Sequence, residues 1–302
     1  MKTFSATNAA FTGFRIVRER PTAVAVWAAV QLAISIIMTT VMIVTAGPAL
    51  TEFSRTSMQG SQDPAATMAA LQKVAPLMLG MLIYMLAFYS VAWAAMNRAV
   101  LRPEDSRFGY LRFGADELRQ LGVLLLFCLI MFATEIVAVF ASVLIGVALA
   151  FIAKPLAILV PVLCVPSALS LVACRLSLGS PMTFDMGRIR FFESWALTRR
   201  RFWPIFGCYA LVAGLALVVG LLGLVIQVSI GAFLGGGLQA GGVALFRPDL
   251  SSLAAGLSPL RLASFVVGAG LMAILLPVIM TPAAAIYRAV TRSEGEALAD
   301  AF

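Results

Sequence analysis

Long apolar runs alternate with short basic or polar segments along the whole chain. Stretches with almost no charge lie near residues 22–46, 74–97, 120–148, 155–176, 205–233 and 263–287. Each is long enough to cross a hydrocarbon layer of about 30 Å, which requires roughly 20 residues in a helix. None alternates with the period of two that a membrane-spanning strand needs, so helices are favoured over a barrel. The pattern predicts an all-α integral membrane bundle with about six transmembrane helices.

Composition agrees with this pattern. Of the 302 residues, 61% are hydrophobic and 12% are charged, whereas globular domains carry about 25% charged residues. So much apolar surface cannot be hidden inside a water-soluble body of this length, and lipid must therefore form part of the solvent. We treat residues 1–302 as a single membrane domain.

The net charge of +8 is placed unevenly between the two sides of the predicted bundle. All of the 22 lysines and arginines lie in segments on one side, except Arg55, Lys73, Lys154, Arg247 and Arg261. Cytoplasmic loops carry the excess of Lys and Arg, so both termini are predicted to be cytoplasmic. Because the charges follow the span ends, we expect a multi-pass protein of a bacterial inner membrane and no nucleic-acid partner.

Two of the cytoplasmic segments share one spacing of aromatic and basic residues. Phe11, Phe14, Arg18 and Arg20 recur, position for position, as Phe192, Trp195, Arg199 and Arg201. A middle segment has Phe108, Leu111, Ala115 and Leu118 at helical spacing, without the basic pair. We interpret the chain as three tandem units, each an interfacial helix followed by a transmembrane hairpin, with approximate bounds 1–103, 104–181 and 182–302.

The aromatic and basic residues of these segments are the first candidate site. The residues expected to contact lipid or a partner are Arg18, Arg20, Trp195, Arg199, Arg200, Arg201 and Trp203. An amphipathic stretch of this kind beside a span typically lies flat in the membrane interface. Each basic side chain there gains about 1 kcal/mol from an anionic leaflet. Docking of a partner protein is the alternative, and the same charges also act as the ordinary topology signal.

Glu135 is the second candidate site, because it lies near the middle of the third apolar run. A charge at the bilayer centre costs about 2.5–3.5 kcal/mol on insertion scales. Either the carboxyl is protonated, or it faces the bundle interior and meets polar groups of other spans. The polar groups considered are Gln31, Ser35, Tyr84, Tyr89 and Gln227. A proton- or cation-carrying role and a plain interhelical hydrogen bond both remain open.

Residues that carry enzyme chemistry are sparse. The chain has no histidine, which removes the commonest general base and metal ligand. Its cysteines, Cys128, Cys164, Cys174 and Cys208, lie in or beside apolar runs without metal-ligand spacing, so they favour packing. We therefore expect neither a cofactor nor a metal, and a protein that is not an enzyme.

The stretch Glu193–Trp203 reads E-S-W-A-L-T-R-R-R-F-W. It resembles an element of bacterial multi-spanning membrane proteins of unknown function. It is also similar to the membrane region attached to some glycerophosphodiester phosphodiesterases. The catalytic part of that family is a separate soluble barrel that uses histidines and metal-binding carboxylates. What the resemblance implies here is a membrane domain, without phosphodiesterase activity.

Two functions follow from these patterns. The first is a non-catalytic inner-membrane protein whose basic-aromatic interfacial helices contact anionic lipid or a partner protein. The second is a transporter or permease for a small or lipid-like substrate, with Glu135 as its intramembrane carboxylate. The sequence leaves the oligomeric state open.

Topology reporter fusions test the predicted arrangement of spans. Fusions after residues 60, 110, 150, 195 and 250 should report outside, inside, outside, inside and outside, because each lies beyond one further predicted span. Alkaline phosphatase and fluorescent-protein activities measure the two locations. Any two neighbouring fusions that report the same side would contradict the six-span reading.

Overall fold

The chain is all-α in a computed structural model that describes residues 5–58, 64–151, 153–246, 249–250 and 252–299, and none of these residues lies in a strand. The helices are α1 Ala6–Ala10, α2 Thr12–Glu19, α3 Pro21–Met58, α4 Pro64–Leu101, α5 Ala115–Ala150, α6 Lys154–Leu176, α7 Gly179–Met186, α8 Glu193–Thr198, α9 Phe202–Leu234, α10 Leu238–Phe246, α11 Leu253–Gly256 and α12 Pro259–Ala299. A short 3₁₀ turn, Arg107–Tyr110, precedes α5.

Within the described residues, 6 helical segments are long and apolar enough to cross a membrane. They are Pro21–Gly47, Leu71–Leu101, Arg107–Ala150, Ala157–Met186, Phe202–Leu234 and Pro259–Thr291. Between 6% and 28% of each apolar window is buried, so most of these side chains face outward, as lipid-facing residues do. The prediction of a multi-spanning all-α membrane protein is confirmed. The side on which the termini lie stays a prediction.

The chain divides into two compact units, of which the first comprises Met1–Thr12, Tyr89–Ala213 and Met280–Phe302. Its larger apolar core joins the short helices α1 and α7 to the long helices α6, α9 and α12. A smaller core packs Val123 of α5 against Phe191, with Phe127 in an edge-on ring contact at 6.5 Å from Phe191. The short helices α1 and α7 are thereby fixed against the ends of the long ones.

The second unit comprises Gly13–Phe88 and Gly214–Ile279. Its helices approach closely at glycines, as packing in lipid requires. A methyl group at Gly13 would overlap the backbone of Pro277 and Val278, so α2 lies directly on α12. Gly223 of α9 likewise leaves room for Leu271 of α12.

The first interfacial helix is buried on the side of its glycine. Ile16 is buried together with Thr12 and Gly13, whereas Phe11, which precedes the helix, is exposed. The glycine decides this orientation, because only its side of α2 can approach the α12 backbone. The helix itself, Thr12–Glu19, is present as predicted.

The prediction of a middle interfacial helix is wrong. Phe108 and Tyr110 have left-handed backbones, with φ of 51° and 67°, and the regular helix begins only at Ala115. Left-handed conformations in bulky residues persist only where surrounding contacts hold them. Here the Tyr110 hydroxyl donates to the Pro103 carbonyl at 3.1 Å. The threefold repeat therefore stays a prediction, with its middle unit lacking the expected interfacial helix.

Candidate functional site

The predicted basic-aromatic residues of the first unit lie in α8 and the turn that leads into α9. We call residues 195–203 the basic-aromatic turn. Trp203 is 75% exposed and Trp195 is 44% exposed. Arg199 and Arg200 are exposed, whereas Arg201 is half-buried. Two tryptophan rings and two arginines are thus exposed within this short segment.

Two buried hydroxyls attach this turn to the end of α6. Ser194 donates to the Arg175 carbonyl at 2.8 Å, and Thr198 donates to the same oxygen at 3.1 Å. The last carbonyls of a helix have no partner within the helix, so side-chain donors stabilise its end. Ser194 also accepts from the Leu178 backbone N–H at 3.1 Å. The position of the basic residues is therefore fixed by the α6 terminus.

Sequence reasoning missed Arg175, which lies against two rings of the basic-aromatic turn. Its guanidinium carbon lies 5.7 Å from the ring centre of Trp195 and 5.3 Å from that of Phe202. Such cation–π contacts contribute about 0.5–2 kcal/mol. Nε and Nη1 are buried and bond to no described residue. An unsatisfied buried donor costs about 1–3 kcal/mol, so the rings offset only part of the cost.

The remaining two predicted interface residues lie in the second unit. Arg18 occupies the last turn of α2 and is exposed, and Arg20 is half-buried between α2 and α3. A cation in the last turn of a helix interacts favourably with the negative end of the helix dipole. The positions agree with an interfacial role, which stays a prediction.

A second cluster that sequence reasoning missed is centred on Arg98, at the end of α4. Its side chain is 3% exposed and donates to the Glu117 carboxylate at 2.8 Å and to the Tyr110 carbonyl at 2.6 Å. Asp116 and Asp105 lie 3.5 Å and 4.0 Å from the guanidinium. Because Glu117 is itself buried, neither charge has water as an alternative partner.

Further ion pairs surround this cluster. Asp116 also pairs with Arg119 at 2.7 Å and with Arg102 at 3.8 Å, and Asp105 pairs with Arg112. Arg102 stacks over the Phe184 ring, with 4.7 Å between the guanidinium carbon and the ring centre. These arginines are therefore neutralised locally, and their role is structural.

Neutral polar side chains continue the network between α4, α5 and α7. Asn97 donates to the Ser180 hydroxyl at 2.8 Å, and that hydroxyl donates to the Gln120 amide oxygen at 2.8 Å. Gln120 returns a hydrogen bond to the Ser180 carbonyl at 3.0 Å. Buried polar groups joined in this way fix one arrangement of the helices. The sequence signal for this network was the pair Asn97 and Arg98 at the end of an apolar run.

The structure brings Glu135 to none of the polar groups expected around it. Its side chain is exposed on α5 and forms no hydrogen bond or ion pair with a described residue. The Gln227 side chain donates to the Ser264 carbonyl at 3.0 Å, and the backbone carbonyl of Gln31 accepts from the Ser35 hydroxyl at 2.9 Å. The side-chain oxygens of Gln31 and Gln227 are buried and accept from no described residue. The expectation that Glu135 faces a polar interior is therefore not met within the described chain.

Replacing Arg98 should destabilise the protein strongly. Arg98→Gln leaves Glu117 buried without its cation, and breaking a buried pair in this way costs about 3–5 kcal/mol. The matched control is Arg190→Gln, since Arg190 pairs with Glu193 at an exposed position, where a pair contributes about 0.2–1 kcal/mol. Thermal unfolding in detergent measures both changes. Equal, small losses in the two variants would contradict the buried-pair assignment.

Replacing Glu135 should have the opposite effect. Glu135→Leu removes an unpartnered carboxyl from a hydrocarbon-facing surface, so the unfolding temperature should rise or stay unchanged. Gln120→Leu is the matched control, because the buried Gln120 makes two hydrogen bonds. Their loss should reduce the free energy of unfolding by about 1–3 kcal/mol and therefore lower the unfolding temperature. If Glu135→Leu destabilises as much as the control, Glu135 has a partner, and its assignment to the lipid face is wrong.

Comparison of the chain with protein-family models, with curated proteins and with solved structures gave no match. The resemblance of Glu193–Trp203 to the membrane region of glycerophosphodiester phosphodiesterases therefore stays a prediction. Function must be inferred from the arrangement of side chains alone. Two groups of arginines provide that starting point: one paired with carboxylates inside the fold, the other presented outward.

Proposed function

We propose that the protein is a non-catalytic multi-spanning membrane protein whose cytoplasmic basic-aromatic turn binds anionic lipid headgroups. The observation that carries this proposal is the exposure of Arg199 and Arg200 next to the 75%-exposed ring of Trp203. Cations and amphipathic rings at a span end are the two groups that a charged membrane interface attracts.

The pairing of arginines supports an external anion as the ligand. Arg112, Arg119 and Arg190 each form an ion pair with a carboxylate of the same unit. Within the described residues, Arg199 and Arg200 form none. An arginine paired within the fold has much of its field cancelled, whereas an unpaired, exposed one retains it. The charge of the turn is therefore available to a ligand outside the chain.

The exposed rings favour lipid over an acidic partner protein. Phe192 is 64% exposed, and Trp195 and Trp203 are exposed beside it. Tryptophan is enriched at the level of lipid headgroups because one end of its ring system is apolar and the other donates a hydrogen bond. An acidic partner protein would be bound by charge attraction alone and would not require exposed rings. Exposed rings together with cations fit a membrane interface, which is anionic at the headgroups and apolar beneath them.

The transport alternative has less support. A transporter that uses Glu135 would surround its carboxylate with polar groups or a second charge. Glu135 lies exposed on α5 instead and bonds to no described residue. We therefore keep anionic-lipid binding as the conclusion.

Lipid-dependent stability tests the proposal. Phosphatidylglycerol added to detergent-purified protein should raise the unfolding temperature more than phosphatidylcholine does, because a ligand that binds only the folded state stabilises it. The double variant Arg199→Gln/Arg200→Gln should lose about 2 kcal/mol of this stabilisation, at about 1 kcal/mol per cation. The difference between the lipids should shrink in high salt.

Arg190→Gln is the control, since it removes an equal charge that is already paired, and it should keep the full lipid effect. Equal stabilisation by the two lipids would contradict the proposal. So would a double variant that responds like the wild type. A turn that captures an acidic protein but ignores phosphatidylglycerol would support partner docking instead.

A further inference from the structure

Arg175 carries the strongest indication of a defined binding site. It lies at the end of α6, below the basic-aromatic turn, between the rings of Trp195 and Phe202. Its Nε and Nη1 groups are buried and bond to no described residue. Buried charged donors without acceptors are rare in folded proteins and call for an explanation. Structural ion pairing does not provide one, because no described carboxylate pairs with Arg175.

Two further arginines are held near the backbone of Arg175. Thr198 donates to the Arg175 carbonyl at 3.1 Å, and Arg199 and Arg200 follow Thr198 directly in the chain. The rings that flank the Arg175 guanidinium come from either side of the same turn, at Trp195 and Phe202. The backbone of the turn thus holds two exposed arginines next to a half-buried one.

The chemistry of these groups selects a phosphate. A guanidinium offers two parallel N–H donors whose spacing matches two oxygens of a phosphate or carboxylate. Additional arginines supply positive charge that attracts the phosphodiester, and no covalent bond forms. The exposed rings of Trp195 and Trp203 add an apolar border, which fits the glycerol and upper acyl carbons of a lipid better than a free ion.

We propose that Arg175, Arg199 and Arg200 form a site for the phosphate of one anionic lipid of the cytoplasmic leaflet. Entry of the phosphate requires the Trp195 ring, which lies 5.7 Å from the Arg175 guanidinium carbon and is 44% exposed, to move away from the buried donors. This inference rests on the proposed function. It adds that a single lipid binds in a saturable way, whereas the exposed arginines alone would attract anionic lipid without a fixed number.

Native mass spectrometry of the full chain in detergent tests the site. Titration with phosphatidylglycerol should show a first lipid that binds more tightly than later ones, and phosphatidylcholine should not show it. Arg175→Gln should weaken this first binding step about tenfold or more, since it removes charge-assisted hydrogen bonds. Arg175→Lys keeps the charge but loses the two-pronged geometry, so its affinity should fall between the two. Arg190→Gln should bind like the wild type.

The outcomes separate this inference from the proposed function. If Arg175→Gln binds the first lipid as the wild type does, while Arg199→Gln/Arg200→Gln loses its lipid stabilisation, the Arg175 site is wrong and the proposed function stands. If phosphatidylglycerol acts no differently from phosphatidylcholine on the wild type, both fail. Inorganic phosphate is the third arm: binding of phosphate alone with the same dependence on Arg175 would overturn the lipid assignment.

Folding of the variants is checked by their unfolding temperature without lipid. Should Arg175→Gln fail to fold, Arg175→Lys decides the matter, because it retains a cation of similar length in the same place. A folded Arg175→Lys protein with weakened first-lipid binding supports the site. A folded Arg175→Lys protein with unchanged binding contradicts the two-pronged contact and thus the site.

Discussion

Hydrocarbon around the long helices is the condition on which the rest of the structure depends. Within the described chain, at most 28% of any apolar window is buried by protein. Side chains such as Val137 and Leu163 are more than half exposed on α5 and α6. In water each would lose roughly 25 cal/mol per Å² of apolar surface, whereas in lipid that penalty disappears. Helices satisfy their own backbone hydrogen bonds, so they tolerate this solvent.

Where the hydrocarbon ends, the protein uses its arginines in two different ways. Arg98 is buried against Glu117, and its neighbours Arg112 and Arg119 are paired with aspartates. These charges join the end of α4 to the start of α5 and fix the two helices against each other. Arg199 and Arg200 face outward instead. The positive charge thus divides into a part that is paired inside the fold and a part that is exposed without an ion pair among the described residues.

The spans were predictable because their signal is local and long. An apolar run of 20 residues specifies its own helix, and the predicted runs agree with the observed spans to within several residues. The exceptions are Arg107–Ala150 and Ala157–Met186, which extend into the basic segments beside the predicted runs. Exposure of Trp195, Trp203, Arg199 and Arg200 was also predictable, since a basic-aromatic stretch beside a span has few other places to lie.

The remaining features depend on contacts between distant segments, which no local pattern encodes. Periodicity placed Phe108 on a helix, but hydrogen bonds from Arg98 and to Pro103 hold Tyr110 in a left-handed turn. Spacing placed Phe11 and Phe14 on the first interfacial helix, but α2 begins at Thr12, and its packing on α12 through Gly13 is a contact that no spacing encodes. The contacts of Arg175 with the rings of Trp195 and Phe202 form only in the folded chain, so no sequence pattern indicated them.

The central claim is that lipid, not water, surrounds the long helices, and collision of a spin label with paramagnetic reagents measures this directly. A single cysteine is introduced at Val137, which is 67% exposed on α5, after replacement of Cys128, Cys164, Cys174 and Cys208. In liposomes the label should collide with oxygen, which dissolves in hydrocarbon, and hardly at all with a water-soluble nickel chelate. Frequent collision with the nickel chelate, as at a label on Arg199, would contradict the account.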